Sequence, residues 1–296
     1  MRRKRDAPSE YASWKDKPMS DNVLYISDLD GTLLNANAEL SEYTINTLNE
    51  IISGGGFFTV ATARSAASAI PMLERVNINI PIILMNGVLV YDIAAKKYIR
   101  KEYLTDSAIE RILGALKTCG QGAFMYSIKD DTLYTYYEKL DSDAMREFYE
   151  SRVELYGKRF DKTDDFGGTD VGEVVYFTII DTYERVCRMH DLVTAHPTIR
   201  AEMYSDIYSE DMWYLEIFSH TASKQTAAEF LRKYGKFDKL VGFGDNLNDI
   251  PLMRACDEFY AVQNAKDAVK DCATAVIASN EQDGVARWLA ENVMHS

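Results

Sequence analysis

The chain has 296 residues, 47% of them hydrophobic, enough for a sizeable core and for two domains, although length is only a soft guide to domain number. Its 46 acidic and 33 basic side chains give a formal charge of -13, which excludes a broad basic surface for nucleic acid and requires a local cationic site for any anionic substrate. Cys119, Cys187, Cys256 and Cys272 form no CxxC pair, and no apolar run reaches the roughly 18 residues of a membrane helix, so free thiols, no membrane association and a cytoplasmic setting are expected.

Residues 1–20 read as a polar, flexible extension, because Arg2-Arg3-Lys4-Arg5 is not followed by the apolar stretch of a targeting signal. Met19 is an alternative start. Val23-Leu24-Tyr25-Ile26 then predicts a buried strand, and Asp28-Leu29-Asp30-Gly31-Thr32 follows at its end. In open α/β sheets ligands bind beyond the carboxyl ends of strands, so an aspartate there can serve as nucleophile, metal ligand or proton shuttle.

Ser41 is a candidate N-cap for a helix whose Ile45, Leu48, Ile51 and Ile52 share a face, and Gly54-Gly55-Gly56 ends it. Phe57–Ala61, leading into Thr62-Ala63-Arg64, and Pro81–Met85, leading into Asn86-Gly87, predict two more strands. Strands alternating with helical segments indicate a parallel sheet. From about Val88 to about Tyr208 the texture changes, with strand-like Leu133–Tyr137 and Val174–Ile180 among helical patterns at Ile109, Ile112, Leu113, Leu116 and at Val186, Met189, Val193. Residues 88–208 therefore read as an α+β domain inserted into the first one. Thirteen of the nineteen tyrosines fall there, and the β-preference of tyrosine makes packing their expected role.

The α/β pattern resumes with Lys224, which opens a helix carrying Ala227, Phe230, Leu231 and Tyr234 on one face, capped by Thr221 or Ser223. The strand Leu240–Phe243 leads into Gly244-Asp245-Asn246-Leu247-Asn248-Asp249. Glu258–Val262 and Ala275–Ile277 predict two further strands, and Val285, Leu289 and Val293 a closing helix entered through Asp283-Gly284.

Together the strand-end residues meet the needs of phosphate-ester chemistry, which must neutralise negative charge, align a nucleophile and protonate a leaving oxygen. Asp28 can attack phosphorus, and Asp30 can give a proton to the leaving group and later activate water. Asp28 and Asp245 supply the carboxylates a Mg2+ ion takes beside phosphate oxygens, with Asp249 and Asn248 orienting the ligands from behind. Lys224 at a helix N-terminus and the Thr62 hydroxyl form a phosphate cradle. Competing motifs fail on spacing: Thr32 and Leu33 break a calcium-loop pattern, and Leu247 stands where a dinucleotide fingerprint needs glycine.

The order DLDGT, VATAR, a lone lysine and GDNLND resembles the haloacid dehalogenase-like (HAD) superfamily from about residue 21 onward. Asn86-Gly87, Asn264-Ala265 and Asp283-Gly284-Val285 resemble its Cof-type branch, the subfamily IIB phosphatases. The resemblance implies an α/β fold: a Rossmann-like parallel-sheet core over 21–87 and 209–296, with an inserted cap of the C2B type over 88–208. It also implies Asp28 as nucleophile, Asp30 as acid/base, and Mg2+ held by the Asp28 and Asp245 carboxylates and the Asp30 carbonyl. Thr62, Lys224 and Asn248 would touch phosphate, the Leu29 and Ala63 N–H groups would complete the cradle, and Arg64 would steady the site or reach toward the cap. Ala63, Gln225 and Gln263 depart from the glycine, glycine and methionine usual in the family.

The expected activity is hydrolysis of a small phosphorylated metabolite, a sugar phosphate or phosphorylated cofactor, through an aspartyl-phosphate. Transfer to an acceptor hydroxyl, as in a phosphotransferase or phosphomutase, is the alternative, and a non-catalytic sensor is a third reading motivated by Ala63 and Gln225. Nothing in the sequence fixes an oligomeric state.

Overall fold

In the computed structural model, which describes residues 22–168, 171–205 and 212–293, the chain starts with β1 (Val23–Ser27), a strand of branched and aromatic residues. The expected extension over residues 1–20, the Met19 start and the boundary at residue 208 lie outside the described residues. Helix α1 (Glu42–Ser53) follows; the Ser41 side chain accepts from Thr44 N–H as N-cap, and the helix stops at Gly54. Strand β2 (Phe57–Val60), helix α2 (Ala66–Leu73) and strand β3 (Ile82–Leu84) come next.

A hairpin, β4 (Leu89–Asp92) and β5 (Lys97–Lys101), pairs antiparallel with β3, and Ala61 bridges Ile83 in parallel to join this small sheet to β2. The hairpin that follows Val88 therefore pairs with β3. Val88, Leu89 and Val90 are fully buried in the same apolar cluster as Leu24 and Ile26, because a tight turn at Asn86-Gly87 folds the chain straight back along β3.

The inserted segment then runs through α3 (Asp106–Cys119), β6 (Phe124–Lys129), β7 (Thr132–Tyr137), α4 (Asp143–Tyr156), β8 (Asp161–Lys162), β9 (Glu173–Asp181), α5 (Tyr183–Thr194), β10 (Ile199–Ser205) and β11 (Trp213–Ser219). Its strands form one sheet in the order β10-β11-β9-β6-β7-β8. Strand β11 follows residue 208 but pairs antiparallel with both β9 and β10, so the inserted layer extends to Ser219. Helices α3 and α5 bury Ile112, Leu116, Val186 and Met189 on one face of the sheet; on the other, Phe148 of α4 packs on Phe124 and Tyr214. Its tyrosines largely serve packing, as in the Tyr126–Tyr176, Tyr137–Tyr149 and Tyr204–Tyr214 ring contacts.

The chain returns through α6 (Lys224–Gly235), β12 (Lys239–Gly244), α7 (Ile250–Ala255), β13 (Glu258–Val262), α8 (Asp267–Lys270), β14 (Ala275–Ile277) and α9 (Gly284–Val293). The core sheet is parallel, ordered β14-β13-β12-β1-β2. Asp283, at the entry to α9, accepts hydrogen bonds from Ser41 and Thr44 and ties the last helix to the first. Among the described residues no helix is long and apolar enough to cross a membrane.

Candidate active site

Strand β1 lies between β2 and β12 in parallel register, with Ser27 level with Val60 on one side and Phe243 on the other. The three chains therefore leave the sheet at one edge, which brings Asp28, Thr62 and Asp245 together although 34 and 183 residues separate them. The backbone N–H of Asp28 continues the ladder by donating to Phe243 O at 3.0 Å. Beyond it the chain turns at Gly31, φ +76°, where a Cβ would lie 2.6 Å from Asp245 Oδ2, so only glycine allows the aspartate loop to approach Asp245 this closely.

Lys224 joins the loops electrostatically. Its Nζ donates to Asp28 Oδ1 at 2.5 Å and to Asp249 Oδ1 at 2.7 Å, with 1% of the lysine side chain exposed. The other Asp249 oxygen accepts from the N–H groups of Asp245 and Asn246, at 3.0 and 3.1 Å. Thr32 Oγ1 donates to Asp245 Oδ1 at 2.8 Å. A carboxylate oxygen from each of Asp28, Asp245 and Asp249 lies within 4.8 Å of the others.

Three carboxylates share one ammonium in a desolvated space. Burial drives the Asp28 carboxyl well above its ordinary range; Lys224 pulls it down, while Asp249 and Asp245 push it further up. Asp245 is raised to about 6 by burial and Asp249, against the Thr32 hydrogen bond. For Lys224, burial lowers the pKa, but Asp249 and Asp28 outweigh it and the net direction is upward. Converging hard oxygen ligands with surplus negative charge are the donor set a divalent cation such as Mg2+ takes, so the residues fit a metal of that kind. Asp249, expected to act from behind the ligands, contributes one of the three clustered carboxylates and also anchors Lys224.

Asp30 points away from this cluster into a two-pronged ion pair, accepting from Arg64 Nε at 2.7 Å and Nη2 at 2.6 Å. Thr62 is buried, and its hydroxyl oxygen accepts from Arg64 N–H at 3.1 Å. Among the described residues the N–H groups of Leu29 and Ala63 donate to no protein acceptor, which leaves both free for a ligand oxygen. Ala63 does not take a left-handed backbone, so its methyl group is no obstacle at the position where glycine is usual. Asn248 Nδ2 lies 3.4 Å from Asn86 Oδ1.

Of the residues singled out from the sequence, Asp28, Lys224, Asp245 and Asp249 lie in direct or near contact, Asp30 pairs with Arg64, whose N–H donates to Thr62, and Asn248 faces Asn86. The sequence reading assigned no role to Thr32, Asn86 or Glu216. Thr32 closes the DLDGT motif and Asn86 opens an Asn-Gly turn signal, whereas Glu216, which accepts from Asn86 Nδ2 at 2.8 Å, lies in an ordinary strand pattern with no local mark.

The model of the haloacid dehalogenase-like hydrolases matches residues 25–289. The 5-amino-6-(5-phospho-D-ribitylamino)uracil phosphatase YitU of Bacillus subtilis is 23% identical over 272 residues, 89% of this chain and 95% of that protein. Among solved structures, TM0651 of Thermotoga maritima is similar with a TM-score of 0.74 and 24% identity, over 90% of this chain and 96% of that one. The subclass IIB sugar phosphatase BT4131 gives 0.71 and 18%, over 90% of this chain and 98% of its own.

Proposed function

The chain belongs to the haloacid dehalogenase-like hydrolase family and is a phosphatase of it; we propose that it removes phosphate from a small phosphorylated metabolite through an aspartyl-phosphate, with Mg2+ as cofactor, in the cytoplasm. The observation that carries this reading is the buried Lys224 held between Asp28 and Asp249 beside Asp245. Such a cluster has little value for stability, because burying three carboxylates on one ammonium costs more than apolar packing. It has value for a dianionic phosphate monoester, whose charge it can oppose with a cation and fixed donors.

Asp28 would attack phosphorus, and the leaving oxygen would take its proton from Asp30, which Arg64 orients through both carboxylate oxygens. Water then attacks the aspartyl-phosphate; Asp30 accepts its proton, and phosphate and the Asp28 carboxylate are regenerated. The Leu29 and Ala63 N–H groups, Thr62, Lys224 and Asn248 would hold the phosphoryl oxygens. Mg2+, held by Asp28 and Asp245 and the Asp30 carbonyl, would neutralise charge between nucleophile and phosphate. The relative named for a phospho-ribitylamino-uracil favours a sugar-phosphate or phosphorylated-cofactor substrate here.

The test is a panel of phosphorylated metabolites with and without magnesium, on wild-type and Asp28→Asn protein. Phosphate release by the wild type, lost by at least about a thousandfold in the variant, is expected for removal of a covalent nucleophile. Wild-type turnover by Asp28→Asn would reject the nucleophile, and label appearing on an added acceptor in place of free phosphate would identify transfer.

A further inference from the structure

Glu216 is an acidic side chain of the inserted sheet that hydrogen-bonds to a core turn, and the reaction above gives it no task. It is buried on β11, and its two oxygens point different ways. Oε1 accepts from the Tyr204 hydroxyl at 2.9 Å, within the inserted sheet, and Oε2 accepts from Asn86 Nδ2 at 2.8 Å, in the core. The position is costly: Glu202 is its direct cross-strand partner on β10, and like charges in that relation repel. Burial pushes the Glu216 carboxyl up to about 7, against the pull of the Tyr176 and Tyr204 hydroxyls.

Asn86 is equally unusual. Met85, Asn86 and Gly87 have φ of 49°, 55° and 93°, three left-handed residues in succession; asparagine and glycine tolerate that region, whereas the Met85 side chain disfavours it. Strain of this kind persists only where surrounding contacts over-determine it. The contacts here all lead to the candidate site. Asn86 N–H donates to Thr62 O at 3.1 Å, Met85 N–H donates to Arg64 O at 3.1 Å, and Asn86 Oδ1 faces Asn248 Nδ2. Gly87 lies against the backbone of Ser223, the N-cap of the helix that Lys224 opens.

We propose that Glu216 is a positioning residue for phosphoryl transfer: by holding the Asn86 amide it fixes the Met85–Gly87 turn, and through that turn Thr62, Arg64, Asn248 and the start of α6. The inference rests on the phosphatase reading above. It assigns the inserted domain a part in the chemistry that is independent of leaving-group recognition.

Acetyl phosphate separates the two roles, since its leaving group is too small to need contacts from the inserted sheet. With full-length protein and magnesium, Glu216→Ala should lower kcat on acetyl phosphate about tenfold or more, the scale of loss expected when the groups that hold the phosphoryl oxygens are misplaced, while KM moves less than about threefold. Glu216→Gln keeps an acceptor for Asn86 and should recover most of that loss. Asn86→Gly keeps the left-handed backbone, removes the amide and should reproduce the Glu216→Ala defect even if that variant folds poorly; in the double variant the two losses should not add.

Full kcat in both Glu216→Ala and Asn86→Gly would overturn the proposal, as would a loss confined to larger substrates, which would make Glu216 a leaving-group contact. A wild-type chain inert toward acetyl phosphate and toward the metabolite panel would overturn the phosphatase reading itself, and this inference with it.

Discussion

A lysine buried as deeply as Lys224 keeps its charge only if that charge is matched, and here it is matched by two carboxylates from loops 221 residues apart. Glu216 is the opposite case, a buried acid with hydrogen-bond donors but, among the described residues, no ion pair, flanked by Glu202, Tyr176 and Tyr204 on neighbouring strands, Asn86 on the core turn and Lys224 further off. Its folded pKa of about 7 stands above the ordinary carboxyl value, so its contribution to stability is present below that ordinary value and is lost as pH rises through about 7. Glu216→Gln, which mimics the protonated acid, should therefore change stability little at pH 5 and stabilise by roughly 1–3 kcal/mol at pH 8. Urea midpoints at the two pH values measure this, and a gain that is equal or larger at pH 5 contradicts it. The sequence made Lys224 legible because a helix start followed it and strand-end aspartates flanked it in chain order. Glu216 had no such mark: its meaning lies in a partner 130 residues away.

The elements that carry the site were readable because each has a local signature. Ser41 caps its helix as its spacing predicts, and the strands before Asp28 and Asp245 end where polar, glycine-containing turns begin. Strand partnership is different, since it is decided at long range. The hairpin β4–β5 and strand β11 look like parts of the neighbouring layer until the pairing of Leu84 with Leu89 and of Leu215 with Ile179 is seen. The turn between β3 and β4 makes this pairing possible, and Gly87 is its tightest point: φ is +93°, and a Cβ would sit 2.1 Å from Ser223 O. Gly87→Ala should cost about 3 kcal/mol or more, because backbone strain adds to a clash that only a shift of α6 can relieve. That shift carries Lys224 with it, so turnover should fall in the fraction that still folds. Gly120→Ala is the control, with φ +62° but open space around the added methyl, and should cost only about 1 kcal/mol. Similar thermal melts for the two variants would show that the Gly87 contact is not tight.

At the scale of the whole molecule, the parallel sheet and the inserted, mainly antiparallel sheet meet over a site with more acid than base. Among the described residues Asp28, Asp30, Asp245 and Asp249 face Lys224 and Arg64, an excess of two acidic side chains over basic ones in a chain whose net charge is already -13. The order of motifs made this arrangement readable from the sequence, because an acidic loop, a hydroxyl, a lysine and a second acidic loop follow successive strands and helices. The electrostatic consequence needed the burial that only the fold supplies. A divalent cation that binds the folded chain and not the unfolded one should stabilise it by mass action, by about 2.7 kcal/mol at a hundred times its dissociation constant. For a chain of 296 residues that corresponds to a rise in Tm of roughly 4 °C on adding magnesium, reversed by EDTA together with turnover. The rise should vanish in Asp245→Asn, which removes one carboxylate from the cluster and leaves the Lys224 ion pairs in place. An undiminished magnesium shift in Asp245→Asn would place the stabilising ion elsewhere on the acidic surface; no shift in the wild type at millimolar magnesium would mean that the clustered carboxylates are satisfied by protons and Lys224 alone.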